Sequence, residues 1–137
     1  MTQIANLYQM LGEREHWTPE SNPKYPSNFV ELFDIGTNHQ TLMVQVKPGD
    51  TQHLHYHHAG ADIFLVLHGS GELHTGELGA DGESMVNTLV QHVKEGDLYS
   101  IKPKEIHGLV NTGDVDLVWL NIAPTAHAAS DIVEVFI

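Results

Sequence analysis

Ile4, Leu7, Tyr8 and Leu11 recur at the i, i+3, i+4, i+7 spacing of one helix face. The pattern predicts one short helix over residues 4–11, with Gly12 as its stop. The chain then turns polar, and Pro19, Pro23 and Pro26 follow closely on one another. Prolines so placed neither continue a helix nor pair in a sheet interior. The stretch up to residue 28 therefore reads either as a plain connector or as an extended arm whose Trp17 and Tyr25 pack on something. From residue 29 the period changes. Short runs rich in β-branched and aromatic residues, expected as strands, occupy 29–35, 41–46, 53–57, 63–68, 72–75, 85–93, 98–101, 108–111, 115–122 and 132–137. Between them stand turn residues: Gly36-Thr37-Asn38, Pro48-Gly49-Asp50, Gly79-Ala80-Asp81-Gly82, Glu95-Gly96-Asp97 and Thr112-Gly113-Asp114. So many short strands predict an all-β sandwich or barrel over 29–137, preceded by a helix and proline-rich arm over 1–28.

Composition narrows the chemistry. The 137 residues suit one compact domain. Cysteine is absent, which excludes disulfides, thiolate metal sites and a cysteine nucleophile. Six basic against 18 acidic side chains give a formal charge of −12, so nucleic acid and anionic membranes are repelled as partners. The longest purely aliphatic or aromatic run, 63–67, is far short of a bilayer span. The first twelve residues lack the basic start and apolar core of a secretory signal, so a cytoplasmic protein is expected. Serine-hydrolase elbows, zinc-protease helices, Walker loops and dinucleotide fingerprints are all missing from the sequence.

What remains for chemistry is histidine, of which there are 11. His53, His55 and His57 alternate with Gln52, Leu54 and Tyr56, so on a regular strand the three imidazoles share a face. Neighbours on that face lie about 6.6 Å apart at Cα, close enough for two ring nitrogens to converge on one ion at about 2.0–2.1 Å. Nothing in sheet packing favours three imidazoles in a row over threonine or valine. Around them the sequence spells Gly49-x5-His55-x-His57-x4-Asp62-x6-Gly69. Further on, Gly96 precedes His107, Pro103 lies between them, and Asn111 follows.

In these two blocks the chain resembles the cupin superfamily, whose first motif is Gly-x5-His-x-His-x3–4-Glu-x6-Gly and whose second is Gly-x5-Pro-x-Gly-x2-His-x3-Asn. The resemblance implies a double-stranded β-helix, or jelly-roll barrel, and a divalent transition ion (Fe, Mn, Ni, Co, Cu or Zn) held by His55, His57, Asp62 and His107. Pairing His53 with His55 instead would demand an acid where Ala59 and Gly60 stand, so His53 is expected in the pocket beside the ligands, as a catalytic and substrate-binding group. Three departures are visible. Asp62 replaces the usual Glu, Pro103 is displaced by one residue, and Glu105 is read as standing at the glycine of the second motif.

Such a site implies a small-molecule partner with neighbouring oxygens: a sugar, hydroxy acid or keto acid. The implied activity is that of an isomerase, lyase or dioxygenase; the alternative is a non-catalytic binding or sensing module. Tyr99 and Trp119 are further candidates to touch the ligand, or else core aromatics with satisfied polar tips. Gln45, amid Leu42, Met43, Val44 and Val46, is either a pocket donor or a sheet-edge residue. Phe64 and Val66 share parity with Asp62 and are expected as apolar barrel wall. His16, His39, His58, His68, His74, His92 and His127 read as surface or packing residues. Apolar residues on both parities of 29–35 and 132–137 suggest edges covered in a homodimer.

Overall fold

The computed structural model describes residues 2–19, 27–33, 39–129 and 131–135. Tyr25, Pro23, Pro26, the turn Gly36-Thr37-Asn38 and the ends of two expected strands, at 34–35 and 136–137, lie outside the described residues.

Two antiparallel sheets face each other. The strands are β1 (Thr18–Pro19), β2 (Ser27–Glu31), β3 (His39–Val46), β4 (His55–Tyr56), β5 (Asp62–His68), β6 (Ser70–Leu78), β7 (Met85–Lys94), β8 (Leu98–Ile101), β9 (Ile106–Val110), β10 (Leu117–Pro124) and β11 (Val133–Glu134). One sheet runs β1-β2-β3-β10-β5-β8 and the other β11-β4-β9-β6-β7. β4, β5, β9 and β10 pair only with strands distant in sequence, the crossed connectivity of a jelly roll. The alternation of apolar and polar positions sends Val46, Phe64, Val66, Ile101, Leu117 and Trp119 from the first sheet against Leu73, Val93 and Leu109 from the second. Burying each such side chain contributes roughly 1.5–3 kcal/mol, more than its lost rotamer freedom costs.

The opposite parity of β3 and β10 faces outward and is covered by the N-terminus. Helix α1 (Leu7–Gly12) starts later than the spacing predicts, because the Asn6 side chain accepts from the backbone N–H of Gln9 at 3.0 Å and caps it there. Its packed residues are Leu7, Met10 and Leu11, which meet Met43, Val118 and Trp17; Ile4 and Tyr8, expected on the apolar face, are exposed. Trp17 is buried, and β1 pairs with β2, so the first part of the arm is stitched to the sheet.

Of the two expected edges, the C-terminal one holds, since β11 ends its sheet, and the N-terminal one does not. β2 is paired on both sides, by β1 and β3, and among the described residues its strand ends at Glu31. Among the described strands the chain ends of the two sheets are β1 and β8, and β11 and β7. The long edge strand β7 exposes Val86, Leu89 and Val90. No described helix is long and apolar enough to cross a membrane.

Candidate metal centre

The two motif blocks meet at one end of the barrel because of strand register. β4 pairs with β9 so that His55 lies directly opposite His107, and Asp62 opens β5 on the facing sheet with its side chain inward, in line with Phe64 and Val66. His57 follows the end of β4. All four are buried, at 1–7% exposure, although each carries a polar or charged head that needs a partner there. The strand expected over 53–57 is reduced to two residues. Turns bring the blocks together. Gly49, Gly69 and Gly96 adopt positive φ, and a Cβ on Gly69 would sit 2.3 Å from the Asp116 carbonyl oxygen. Asn111, the last residue of the second motif, is 1% exposed and ties three segments together. Its amide donates to the carbonyls of Val46 and Val115, both at 2.9 Å, and its oxygen accepts from Gly113 N–H at 3.0 Å.

The histidines are fixed by their Nδ1 atoms. Nδ1 of His55 donates to the His53 carbonyl at 2.8 Å, Nδ1 of His107 to that of Glu105 at 3.1 Å, and Nδ1 of His57 to that of Asp131. A carbonyl only accepts, so each ring carries a proton on Nδ1, which leaves Nε2 to face the cluster and to serve as the ligating atom. The three rings converge: His55 and His107 centroids are 4.3 Å apart and His55 and His57 centroids 5.0 Å. One nitrogen from each of the three lies within 4.8 Å of the others. Oδ2 of Asp62 stands 3.1 Å from Nε2 of His57 and 3.4 Å from Nε2 of His107. Bonds of about 2.1 Å to one ion place adjacent donors about 3.0 Å apart in an octahedron and about 3.4 Å in a tetrahedron. Lone pairs and a carboxylate at these distances repel one another unless a cation, proton or metal, lies between. The donor set, nitrogen and oxygen without sulfur, fits a divalent transition ion.

The electrostatics agree with that need. Burial, reinforced by the neighbouring His107, pushes the His55 imidazole down to about 3, so this ring is neutral at physiological pH. Burial also works against charge on His57, but the Asp62 carboxylate and the Asp131 carbonyl outweigh it and raise its pKa above that of an ordinary histidine. For Asp62, burial works upward, yet the facing rings of His107 and His57 hold its carboxyl well below the usual carboxylate range.

Above the cluster, Phe64 stacks on Tyr99 at 4.9 Å and lies edge-on to His107 at 5.9 Å, with Trp119 at 6.4 Å. The Tyr99 hydroxyl, Trp119 Nε1 and His107 Nε2 are buried without a hydrogen-bond partner. The satisfied polar tips expected of core aromatics are therefore absent. Burial, and secondarily the charge of Asp62, pushes the Tyr99 hydroxyl far up, so it stays a donor.

Two sequence expectations land elsewhere. Gln45 points to the outer face of its sheet, on the parity of Met43, where its amide donates to Asp116 at 2.7 Å and its oxygen accepts from Asn28 at 3.1 Å. It belongs to a cleft of about 620 Å³ that it shares with Arg14, Trp17, Lys47 and Asp116, behind the sheet. The side chain of His53 is exposed, because the strand stops short of it and the alternation that would carry its ring inward is lost. Its carbonyl, not its ring, bonds to His55.

Two residues escaped the sequence reading. Asn121, two positions beyond Trp119 on the inward parity of β10, donates to Asp62 Oδ1 at 3.3 Å. His127, expected at the surface or in ordinary packing, is 3% exposed and stands 3.1 Å from the same oxygen. The parity of Asn121 was legible; His127 sits on α2 (Ala126–Ala129), a single turn that no periodicity announces.

The sequence matches the Cupin domain family over residues 42–123. The chain is a cupin. No curated protein sequence matches it. Among solved structures, an uncharacterized conserved protein with a double-stranded β-helix domain from Klebsiella pneumoniae superposes with a TM-score of 0.68 at 21% identity, covering 100% of both chains. The polyketide cyclase RemF from Streptomyces resistomycificus gives 0.68 at 20% identity, over 100% of this cupin and 87% of the cyclase. Oxalate decarboxylase from Bacillus subtilis, a protein with Mn(II) centres, gives 0.65 at 20% identity, over 88% of this cupin but only 30% of that chain. At such identities the likeness is one of fold. The double-stranded β-helix is the architecture that the two motifs implied.

Proposed function

We propose that this cupin holds one divalent transition ion per chain through His55, His57, Asp62 and His107, and uses it as an enzyme on a small metabolite with neighbouring oxygens. The observation that carries the reading is the shared pattern of the three imidazoles. Each gives Nδ1–H to a backbone carbonyl and turns Nε2 toward the others and toward Asp62. Ligating histidines are oriented in this way, whereas packing histidines satisfy a buried N–H without turning their second nitrogens on one point. When bound, the ion supplies Lewis-acid polarisation of an oxygen donor, or oxygen chemistry if it is iron.

The chain's own residues divide the remaining tasks. Phe64 and Val66 wall the site and exclude water. The Tyr99 hydroxyl and Trp119 Nε1 are donors that the protein leaves unanswered, and buried donors of that kind suit an oxygen-rich, anionic ligand. His53 is exposed two residues from a ligand, and of the groups outside the cluster it is the one suited to exchange a proton between ligand and solvent. Isomerase, lyase and dioxygenase chemistries all draw on this set. The distant likeness to a decarboxylase and a cyclase supports a carboxylate or polyketide-like oxygen ligand without choosing between them.

The test is a screen of hydroxy acids, keto acids and sugars against metal-loaded and chelator-treated protein, with and without O₂. Turnover or binding should require the ion, and His53→Ala should lower turnover about 10²-fold or more while leaving metal content intact. Metal-independent binding of every ligand found would contradict the proposal. Ligand binding that needs the ion but never leads to turnover would leave a binding or sensing module.

A further inference from the structure

We infer that His127 is a positioning residue for the metal-binding cluster: it takes one oxygen of Asp62 out of play and packs flat against His57, so that Asp62 turns a single oxygen toward the imidazoles. The inference rests on the metal reading above and adds to it a residue outside both motifs.

A carboxylate on a short side chain rotates broadly about its last torsion, so burial alone does not decide which oxygen faces which neighbour. In this cupin the two oxygens of Asp62 have separate partners. Oδ2 faces Nε2 of His57 and of His107. Oδ1 faces Nδ1 of His127 at 3.1 Å and the Asn121 amide at 3.3 Å. The other nitrogen of His127 lies against the carbonyl of Ala59, so each ring nitrogen faces an oxygen acceptor. Its plane lies 4° from that of His57, with centroids 3.9 Å apart. His57 is thus held by the His127 ring on its face and by the Asp131 carbonyl at Nδ1.

Local sequence builds this contact. Gly60, at φ +78°, lets the loop between His57 and Asp62 run under the end of β10, where a Cβ would come 2.5 Å from Pro124 Cγ and 3.5 Å from His127 Nε2. The side chain of Asp131 accepts from the N–H groups of His58 and Ala59, at 2.8 and 3.1 Å, and fastens the same loop from the other side. Two of the four proposed ligands are therefore set by the segment after β10. A residue that only filled space would need neither nitrogen. As a ligand in its own right His127 would have to give up Asp62 or Ala59.

The experiment is Co²⁺ titration of the chelator-treated full chain, followed by calorimetry and by the visible d–d spectrum of the ion. The comparison set is wild type, His127→Ala, His127→Phe and His127→Gln, with the apo melting temperature recorded for each. His127→Phe keeps the flat ring against His57 without a nitrogen, and His127→Gln keeps a donor without the ring. His127→Ala and His127→Phe should bind one Co²⁺ about 10–100-fold more weakly than wild type with an altered spectrum, and His127→Gln should recover part of both. Wild-type affinity and spectrum in a folded His127→Phe would overturn the inference. Loss of the site as complete as in His55→Ala would also overturn it, in favour of direct ligation. A wild-type chain that takes up no Co²⁺ would instead remove the metal reading on which the inference stands.

Discussion

At the scale of single residues, His55 carries the acid sensitivity of the buried cluster. Its ring is buried among other imidazoles and kept neutral, with its pKa lowered from the ordinary histidine value to about 3. In the unfolded chain the same ring takes a proton near pH 6.5. Between about pH 6 and 4 the unfolded state thus binds one more proton than the folded state, and stability falls as pH falls, by up to about 1.4 kcal/mol per pH unit. His57 does not cancel this slope. Its pKa is raised on folding, so its contribution is already complete below the unfolded value and is lost only as pH rises through the folded one. The carboxyl of Asp62 adds to the slope from about pH 5 downward, where protonation in the unfolded chain begins. Urea unfolding of chelator-treated protein at pH 6, 5 and 4 should show the slope, and His55→Gln should flatten it. An equal slope in the variant would place the acid sensitivity elsewhere. His55, His57, Asp62 and His107 could all be singled out in the sequence because two motifs of fixed spacing name them. His127 and Asn121 could not be found the same way. They act through a third segment whose approach to Asp62 is a matter of tertiary structure, and the roles of Gln45 and His53 depended on sheet face and strand length that spacing alone does not give.

At the scale of elements, the strands of the central barrel were legible and their ends were not. Alternation located β3, β5, β7, β8 and β10 within a few residues, because one face of each is buried and a shift of one residue would invert it. β4 fell short because β9, with His107 opposite His55, is its partner for one residue pair only. The turn before β9 corrects the reading of the second motif. Its left-handed residue is Lys104, at φ +66°, three positions before His107 as the Gly-x2-His spacing requires; Glu105 instead uses its side chain to accept from Lys102 N–H at 3.0 Å. Lys104 N–H donates to the His57 carbonyl at 2.7 Å, so the strained turn is anchored to the segment that carries His57. A non-glycine residue in that region costs about 1–2 kcal/mol, while glycine adds roughly 0.5–1 kcal/mol of chain entropy to be lost on folding. Lys104→Gly should therefore raise stability by about 0.5–1 kcal/mol with unchanged metal affinity, measured by denaturant unfolding and metal titration. A loss of stability would mean that the lysine side chain makes up for the strain.

At the scale of the whole molecule, the barrel closes its core with two sheets and leaves a long edge at β7, where Val86, Leu89 and Val90 are exposed. An edge of this length with apolar residues is a template for pairing with another chain. We therefore propose a homodimer covered at β7. Light scattering at micromolar concentration should give about twice the 15.2 kDa chain mass, and charge placed at Leu89 and Val90 should return it to one; a monomeric wild type would dismiss the proposal. The fold is expected to need neither a partner chain nor an ion. A core built from nine buried apolar side chains stands beside the cluster, not through it. The central claim is that one transition ion sits among His55, His57, Asp62 and His107. It is tested most directly by elemental analysis and calorimetric titration with Mn²⁺, Co²⁺ and Zn²⁺ of the wild type beside His107→Ala. The account predicts one ion per chain in the wild type and a loss of affinity of at least 100-fold in the variant; equal metal content and affinity in both would contradict it.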